Sequence, residues 1–244
     1  MPNFKIDISY DGTDFFGWQI QKNTRTVQGE LTDAFSTVFS KHKINLIGSG
    51  RTDTGVHARH QIANIDLDTN LSCENIKNAI NSNIGNDVQI NSCKIVESKF
   101  NSRFSAVSRE YVYVISKVKS PIKRKYCWML EESFDLNLLN DCAKEIIGIH
   151  DFSSFCKEKS LKENNQCEII YSKWISDKNK YLYKIIGNRF LHHMVRFLVG
   201  TMIEVGKSRI EFKDFCKLLK NKKKSNLIIK APPCGLYLNN IYYD

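Results

Sequence analysis

Phe4, Ile6 and Ile8 alternate with Lys5, Asp7 and Ser9 at the head of the chain, the period-two pattern of a strand with one buried face. Asp11-Gly12 then predicts a turn. Val27, Leu31, Ala34, Phe35 and Val38 recur at helical spacing, so a helix is predicted from Thr26, its N-cap, to about residue 42. Apolar or strand-like runs at 44–47 and 61–67 flank a glycine-punctuated loop. A short helix holding Ile76, Ala79 and Ile80 and a strand at 88–96 follow. The next stretch repeats this grammar. A strand carries Tyr111, Tyr113 and Ile115. A helix at 135–148 buries Leu136, Leu139, Ala143, Ile146 and Ile147, with Gly148 as its stop. Strands at 169–175 and 181–186 flank a polar turn, helices follow near 190–205 and at 212–219, and a last strand lies at 235–242. Strands interleaved with helices, twice over, predict an α/β (α+β) architecture of two similar halves, residues 1–105 and 106–244, with no sequence repeat visible between them.

The loop between the runs at 44–47 and 61–67 reads Gly48-Ser49-Gly50-Arg51-Thr52-Asp53-Thr54-Gly55-Val56-His57-Ala58-Arg59. It sets one carboxylate between an arginine and a histidine, where a scaffold can present them to a ligand. Gly50 and Gly55 have the spacing that opens a phosphate-binding P-loop. Val56-His57 stands where the lysine and hydroxyl residue are required, and Asp53 would repel phosphate, so that chemistry is excluded. An aspartate in a glycine loop is ordinarily a turn residue.

Composition narrows the picture. At 244 residues the chain holds one large domain or two small ones, and 42% apolar with 25% charged residues is an ordinary globular balance. No apolar run has the ~20 residues needed to span a bilayer, and the start lacks the apolar core of a signal peptide. Eight dispersed cysteines without CxxC spacing are expected to be reduced thiols in the cytoplasm. The net charge of +10 is uneven. Residues 1–105 carry 11 basic and 11 acidic side chains, which leaves 25 basic and 15 acidic in 106–244. An anionic partner such as nucleic acid explains that asymmetry. A lysine-rich codon bias contributes as well, and Lys222 to Lys224 also suit a solvated run at a helix end.

GRTDxGVHA is the active-site signature of the bacterial tRNA pseudouridine synthase A family, and Gly50 to Ala58 stand in that pattern. Tyr10-Asp11-Gly12-Thr13 with Phe16-Gly17-Trp18-Gln19 resembles the family's opening. Arg103-Phe104-Ser105-Ala106 with Arg109-Glu110-Tyr111-Val112-Tyr113 resembles its central motif. His150 to Phe155, Gly187 to Arg196 and Ala231 to Leu238 resemble its later landmarks in order. Thr54 departs from the small alanine that the family often carries there, and leaves the carboxylate intact. The resemblance covers nearly the whole chain. It implies two ferredoxin-like halves sharing a continuous mixed β-sheet, with a central RNA-binding cleft across it. It also implies isomerisation of uridine to pseudouridine on the 3′ side of the tRNA anticodon stem-loop, by a homodimer. A pseudouridine synthase of another RNA target and a non-catalytic RNA-binding module are the competing readings.

The isomerisation breaks the N-glycosidic bond, turns the uracil over and rejoins it through carbon. No redox step or group donor is needed, so no cofactor is expected. His57 and His60, like the adjacent His192 and His193, have no acidic or thiol partner at metal-ligand spacing, so no metal is expected either. By resemblance Asp53 is the nucleophile, whether toward ribose C1′ or the base, or as a helper in glycal formation. Its charge in a site shielded from water calls for a cation. Arg196 sits amid Phe190, Leu191, Met194, Val195, Phe197, Leu198, Val199 and Met202, a stretch apolar nearly all round, and an unpaired buried guanidinium costs several kcal/mol. Asp53 is one partner for it, as the resemblance also implies; backbone carbonyls are the other. Arg51 is the rival cation for Asp53, and by resemblance it holds the RNA backbone or the flipped nucleotide. Tyr111 is the implied stacking platform for the uracil, with its phenol available to the proton on C5. His57, Arg59, Arg103 and Arg109 are candidate phosphate contacts, as are Lys22 and Arg25.

Overall fold

The computed structural model describes residues 1–40, 43–221, 223 and 225–244. The alternating start is strand β1 (Asn3–Tyr10), with Phe4, Ile6, Ile8 and Tyr10 buried. Helix α1 (Val27–Val38) starts at Thr26, whose hydroxyl accepts from the Gly29 N–H. It stops at Val38; the expected end near His42 lies outside the described residues. Strand β2 (Ile47–Gly48) is only two residues long, and β3 (His57–Asp66) follows the loop. Helix α2 (Cys73–Asn81), capped by Ser72, and β4 (Val88–Val96) come next. The second series is β5 (Ala106–Ser116), the short β6 (Trp128–Met129), α3 (Leu136–Glu145), β7 (Gly148–Asp151), β8 (Gln166–Ser176) and β9 (Lys180–Gly187). Helices α4 (Met194–Gly206) and α5 (Phe212–Lys220) and strand β10 (Leu236–Tyr243) complete it. Of the lysine run at Lys222 to Lys224, Lys222 and Lys224 lie outside the described residues. Ten strands and five α-helices among the described residues make a mixed α/β fold.

The chain forms two compact units, Met1–Val107 with Tyr237–Asp244, and Ser108–Leu236. In the first unit the strand order is β4-β1-β3-β10. Strand β1 is antiparallel to both neighbours, and β2 folds back antiparallel on β3. The βαββαβ succession with β4-β1-β3-β2 adjacency is ferredoxin-like. Strand β10 adds to β3 in parallel, Tyr237 opposite His57 and Leu238 opposite Ala58. This pairing explains why β3 begins at His57, ahead of the apolar run that starts at residue 61. The pairing is made with the far end of the chain, and local alternation carries no trace of it.

In the second unit the order is β5-β9-β8-β7, each neighbour antiparallel, with β6 parallel to β5. Asn140 of α3 welds helix to sheet by bracketing the Trp174 backbone, accepting its N–H at 3.0 Å and donating to its carbonyl at 3.2 Å. The Trp174 indole stacks on Tyr183 and donates to the Met202 sulfur. Helix α4 is buried on all sides, 12 of its 13 residues. The segment at 229–231 runs so close over it that a Cβ on Gly200 would collide with the Ile229 carbonyl, so only glycine fits there. The helix begins at Met194, not near Phe190. Asn188 is tied to Glu168 by two hydrogen bonds, and His193 has φ +66°, a left-handed conformation that no helix interior contains. All eight cysteines are free thiols. Burial pushes those of Cys93 and Cys142 up to about 12 and that of Cys167 up to about 11.

Candidate active site

Asp53 opens a tight turn in the first unit. Its carbonyl accepts from the Val56 N–H at 3.1 Å, and Gly55 takes φ +76°, the conformation that the third position of such a turn asks of glycine. The chain from Tyr10 to Trp18 grips this turn from both sides. Ahead of Asp53, Thr52 is held twice: its hydroxyl lies 2.8 Å from the Tyr10 hydroxyl, and its carbonyl accepts from the Trp18 N–H at 3.1 Å. Behind Asp53, the Gly55 N–H donates to the Phe15 carbonyl at 3.2 Å. Below the turn, Gln61 is fully buried and closes the loop base, its amide nitrogen donating to the Gly50 carbonyl and its oxygen accepting from Ser49. Two sequence motifs some forty residues apart are thus one structure: the first immobilises the backbone of the second. Asp53 itself is half-buried at the top of it.

The glycines of the first motif exist for this grip. A Cβ on Gly12 would meet the Val56 carbonyl. Gly17 has φ +88°, and a Cβ there would stand 2.6 Å from the Thr52 carbonyl oxygen. Gly17→Ala therefore combines a left-handed penalty of roughly 1–2 kcal/mol with a backbone collision. It is expected to lower Tm by about 4–8 °C, at ~2–4 °C per kcal/mol for a chain of this size. Turnover is expected to fall further than the Tm change explains, since the displaced residue is Thr52. Thermal unfolding followed beside single-turnover kinetics checks this; an unchanged rate would show that the grip does not position Asp53.

His57 is 2% exposed. Its Nδ1 accepts from the Gly12 N–H at 3.0 Å, and its ring stacks on Tyr237 at 4.8 Å. Nδ1 also lies 3.1 Å from Asp11 Oδ1, but accepting from Gly12 requires an unprotonated Nδ1, so that approach is proximity and not a hydrogen bond. Asp11 Oδ1 instead takes the N–H and hydroxyl of Thr13. His57, a candidate phosphate contact from the sequence, is thus buried, and its imidazole braces the loop through Gly12 and Tyr237. Arg25 forks onto Asp87 and Glu30 over the Phe15 ring. Arg51, Lys22 and Arg103 are exposed, and exposed Arg59 is steadied by Asn239 and the Tyr237 ring.

In the second unit Tyr111 is 8% exposed and lies edge-on to Phe190, ring centroids 5.2 Å apart at 84°. Arg109 donates to the Asn188 carbonyl at 2.9 Å. Arg196 is buried in α4, and its Nε–H donates to the Ala231 carbonyl at 2.8 Å while the Ala231 N–H returns a bond to the Arg196 carbonyl at 3.0 Å. The backbone-carbonyl partner is therefore real. Sequence reasoning missed the Tyr10–Thr52 hydroxyl pair and Gln61; Tyr10, at the head of the first motif, was the only local signal for either.

Residues 7–105 and 142–244 match the family model described as tRNA pseudouridine synthase, and the chain belongs to that family. Enzymes of this class are isomerases that convert uridine to pseudouridine. Among individual proteins the chain is similar to several named tRNA pseudouridine synthase A. It is 40% identical to that of Dictyoglomus thermophilum, with 100% of both chains covered. It is 38% identical to that of Thermoanaerobacter pseudethanolicus, again over 100% of each. The protein of Brachyspira hyodysenteriae is 39% identical, over 100% of this chain and 99% of that one.

Proposed function

We propose that this enzyme modifies uridines on the 3′ side of the tRNA anticodon stem-loop, with Asp53 as nucleophile and without cofactor or metal. The observation that carries the reading is the double grip around Asp53, with Tyr10 and Trp18 hydrogen-bonded to Thr52 ahead of it and the Gly55 N–H donating to the Phe15 carbonyl behind it. A turn aspartate needs no such bracing; a reacting carboxylate does, because misplacement by about 1 Å costs on the order of 100-fold in rate. The family resemblance supports a cytoplasmic homodimer in which the two halves of each chain share one continuous sheet with an RNA-binding cleft across it.

In this reading the outer nitrogens of Arg196 hold the Asp53 carboxylate, while Nε stays on Ala231 and keeps the guanidinium plane fixed. Tyr111, its ring plane set by Phe190, stacks on the uracil once it has left the RNA helix. The N1–C1′ bond breaks, C5 bonds to C1′, and the C5 proton departs to the Tyr111 oxygen as the hydroxyl releases its own proton to solvent, from which N1 regains one. Tyr111→Phe keeps the stacking ring and removes that acceptor. Its turnover is expected to fall by about 10²–10⁴-fold with tRNA affinity retained, the range for a general acid–base group. Undiminished single-turnover rates would remove the phenol from the reaction. Mapping pseudouridine in unmodified tRNA transcripts tests the target. Product confined to the 3′ side of the anticodon arm supports it, and product elsewhere assigns a different target.

A further inference from the structure

The turn at residues 101–105 in the first unit is built to hold its tip still. Asn101 Oδ1 accepts from the N–H groups of Arg103 and Phe104, at 3.0 and 3.1 Å. The Asn101 N–H donates to Ser105 Oγ at 3.1 Å, and the Ser105 N–H donates to the Asn101 carbonyl at 2.8 Å. Ser102 is fully buried and anchors the turn from below. Its N–H donates to Asn64 Oδ1 at 2.8 Å, its hydroxyl to the Ile47 carbonyl at 2.5 Å, and its carbonyl accepts from the Tyr243 hydroxyl at 2.8 Å. Ile47 opens β2, the strand that leads into the Asp53 loop, so the turn and the loop share one support.

At the tip of this turn Phe104 is 80% exposed, with the Arg103 guanidinium 5.5 Å from its ring centroid. An exposed apolar side chain on a loose segment is ordinary. Here the backbone beneath the ring is fastened at every residue, while the ring packs into no core. Such a ring, with a cation drawn to its face, presents a flat apolar surface beside a phosphate-binding charge. We propose that Phe104 and Arg103 form a stacking site for an unpaired base of the RNA, separate from the residues that carry the reaction. The ligand class is a single-stranded nucleotide, its base on the Phe104 ring and its phosphate on Arg103. The proposal rests on the reading of the chain as an enzyme acting on tRNA.

The test uses full-length Phe104→Ala and Phe104→Trp proteins, an unmodified tRNA transcript and a short single-stranded oligoribonucleotide. Phe104→Ala is expected to raise the Kd for tRNA by about 5- to 150-fold, the worth of one base stack on an aromatic ring, with Tm unchanged because the ring is exposed. Phe104→Trp is expected to bind as wild type does, and its indole fluorescence to be quenched by both RNAs. Wild-type Kd and KM in Phe104→Ala, beside a wild-type protein that binds and isomerises tRNA, would overturn the proposal. So would an indole signal that ignores RNA but follows protein concentration, which would make the tip a contact between copies of the chain. If the wild type fails to isomerise any tRNA, the enzymatic reading has failed, and quenching by the oligoribonucleotide still decides the stacking site.

Discussion

Asp53→Asn is expected to reduce isomerisation by about 10⁴-fold or more while tRNA affinity stays within a few-fold, as removal of a covalent or essential catalytic group does elsewhere. The separation of the two effects follows from how the loop is held. Its grips run through Thr52, Gly55, Val56 and His57, none of which the substitution touches. Asparagine suits the first position of a tight turn as well as aspartate does, so the backbone is expected to stay in place. What disappears is the carboxylate proposed as the nucleophile, since a neutral amide is a poor nucleophile at neutral pH. Nucleoside analysis of treated tRNA beside a gel-shift titration reads both quantities. Turnover within tenfold of wild type would take the nucleophile's role from Asp53, and loss of binding in parallel with turnover would make it a structural residue.

Arg196→Ala is expected to damage stability and activity together. It strips the Ala231 carbonyl of its donor against a helix that is buried on all sides, at about 1–3 kcal/mol, and leaves a void where the side chain lay. A total of roughly 3–5 kcal/mol would lower Tm by about 6–20 °C. Arg196→Lys separates the bond to Ala231 from the proposed hold on Asp53. An ammonium recovers part of the packing and the charge but cannot hold a carbonyl and a carboxylate in one plane. Calorimetry and single-turnover rates on both variants decide between them. A lysine variant with recovered Tm but little activity supports a guanidinium that works on Asp53. Full recovery of both would confine Arg196 to its bond with Ala231.

Much of this was legible in the chain before any coordinates. The alternation from Phe4 to Ser9 lies in β1, and Thr26 and Asp135 cap the helices whose spacing placed them. The Asp53 loop stood out because glycines, a carboxylate and two flanking strands rarely coincide without purpose. What stayed hidden was long-range. Nothing local in Tyr10 to Trp18 says that it closes over Thr52, and nothing in the last strand says that it runs parallel to β3. The burial of His57 was hidden in the same way, since its ring stacks on Tyr237, at the opposite end of the chain. The start of α4 is not legible in an apolar run, which carries no sign of a left-handed residue; the φ of His193 marks where the helix begins.

The most direct measurement is tritium release from an unmodified tRNA transcript labelled at uridine C5, incubated with the purified enzyme, a chelator and no added cofactor. Because C5 exchanges its hydrogen for carbon in the reaction, one tritium is expected to leave for each pseudouridine formed, and Asp53→Asn is expected to release none. A folded wild-type protein that binds the tRNA tightly and salt-sensitively, yet releases no tritium, would contradict the assignment of the reaction to this loop.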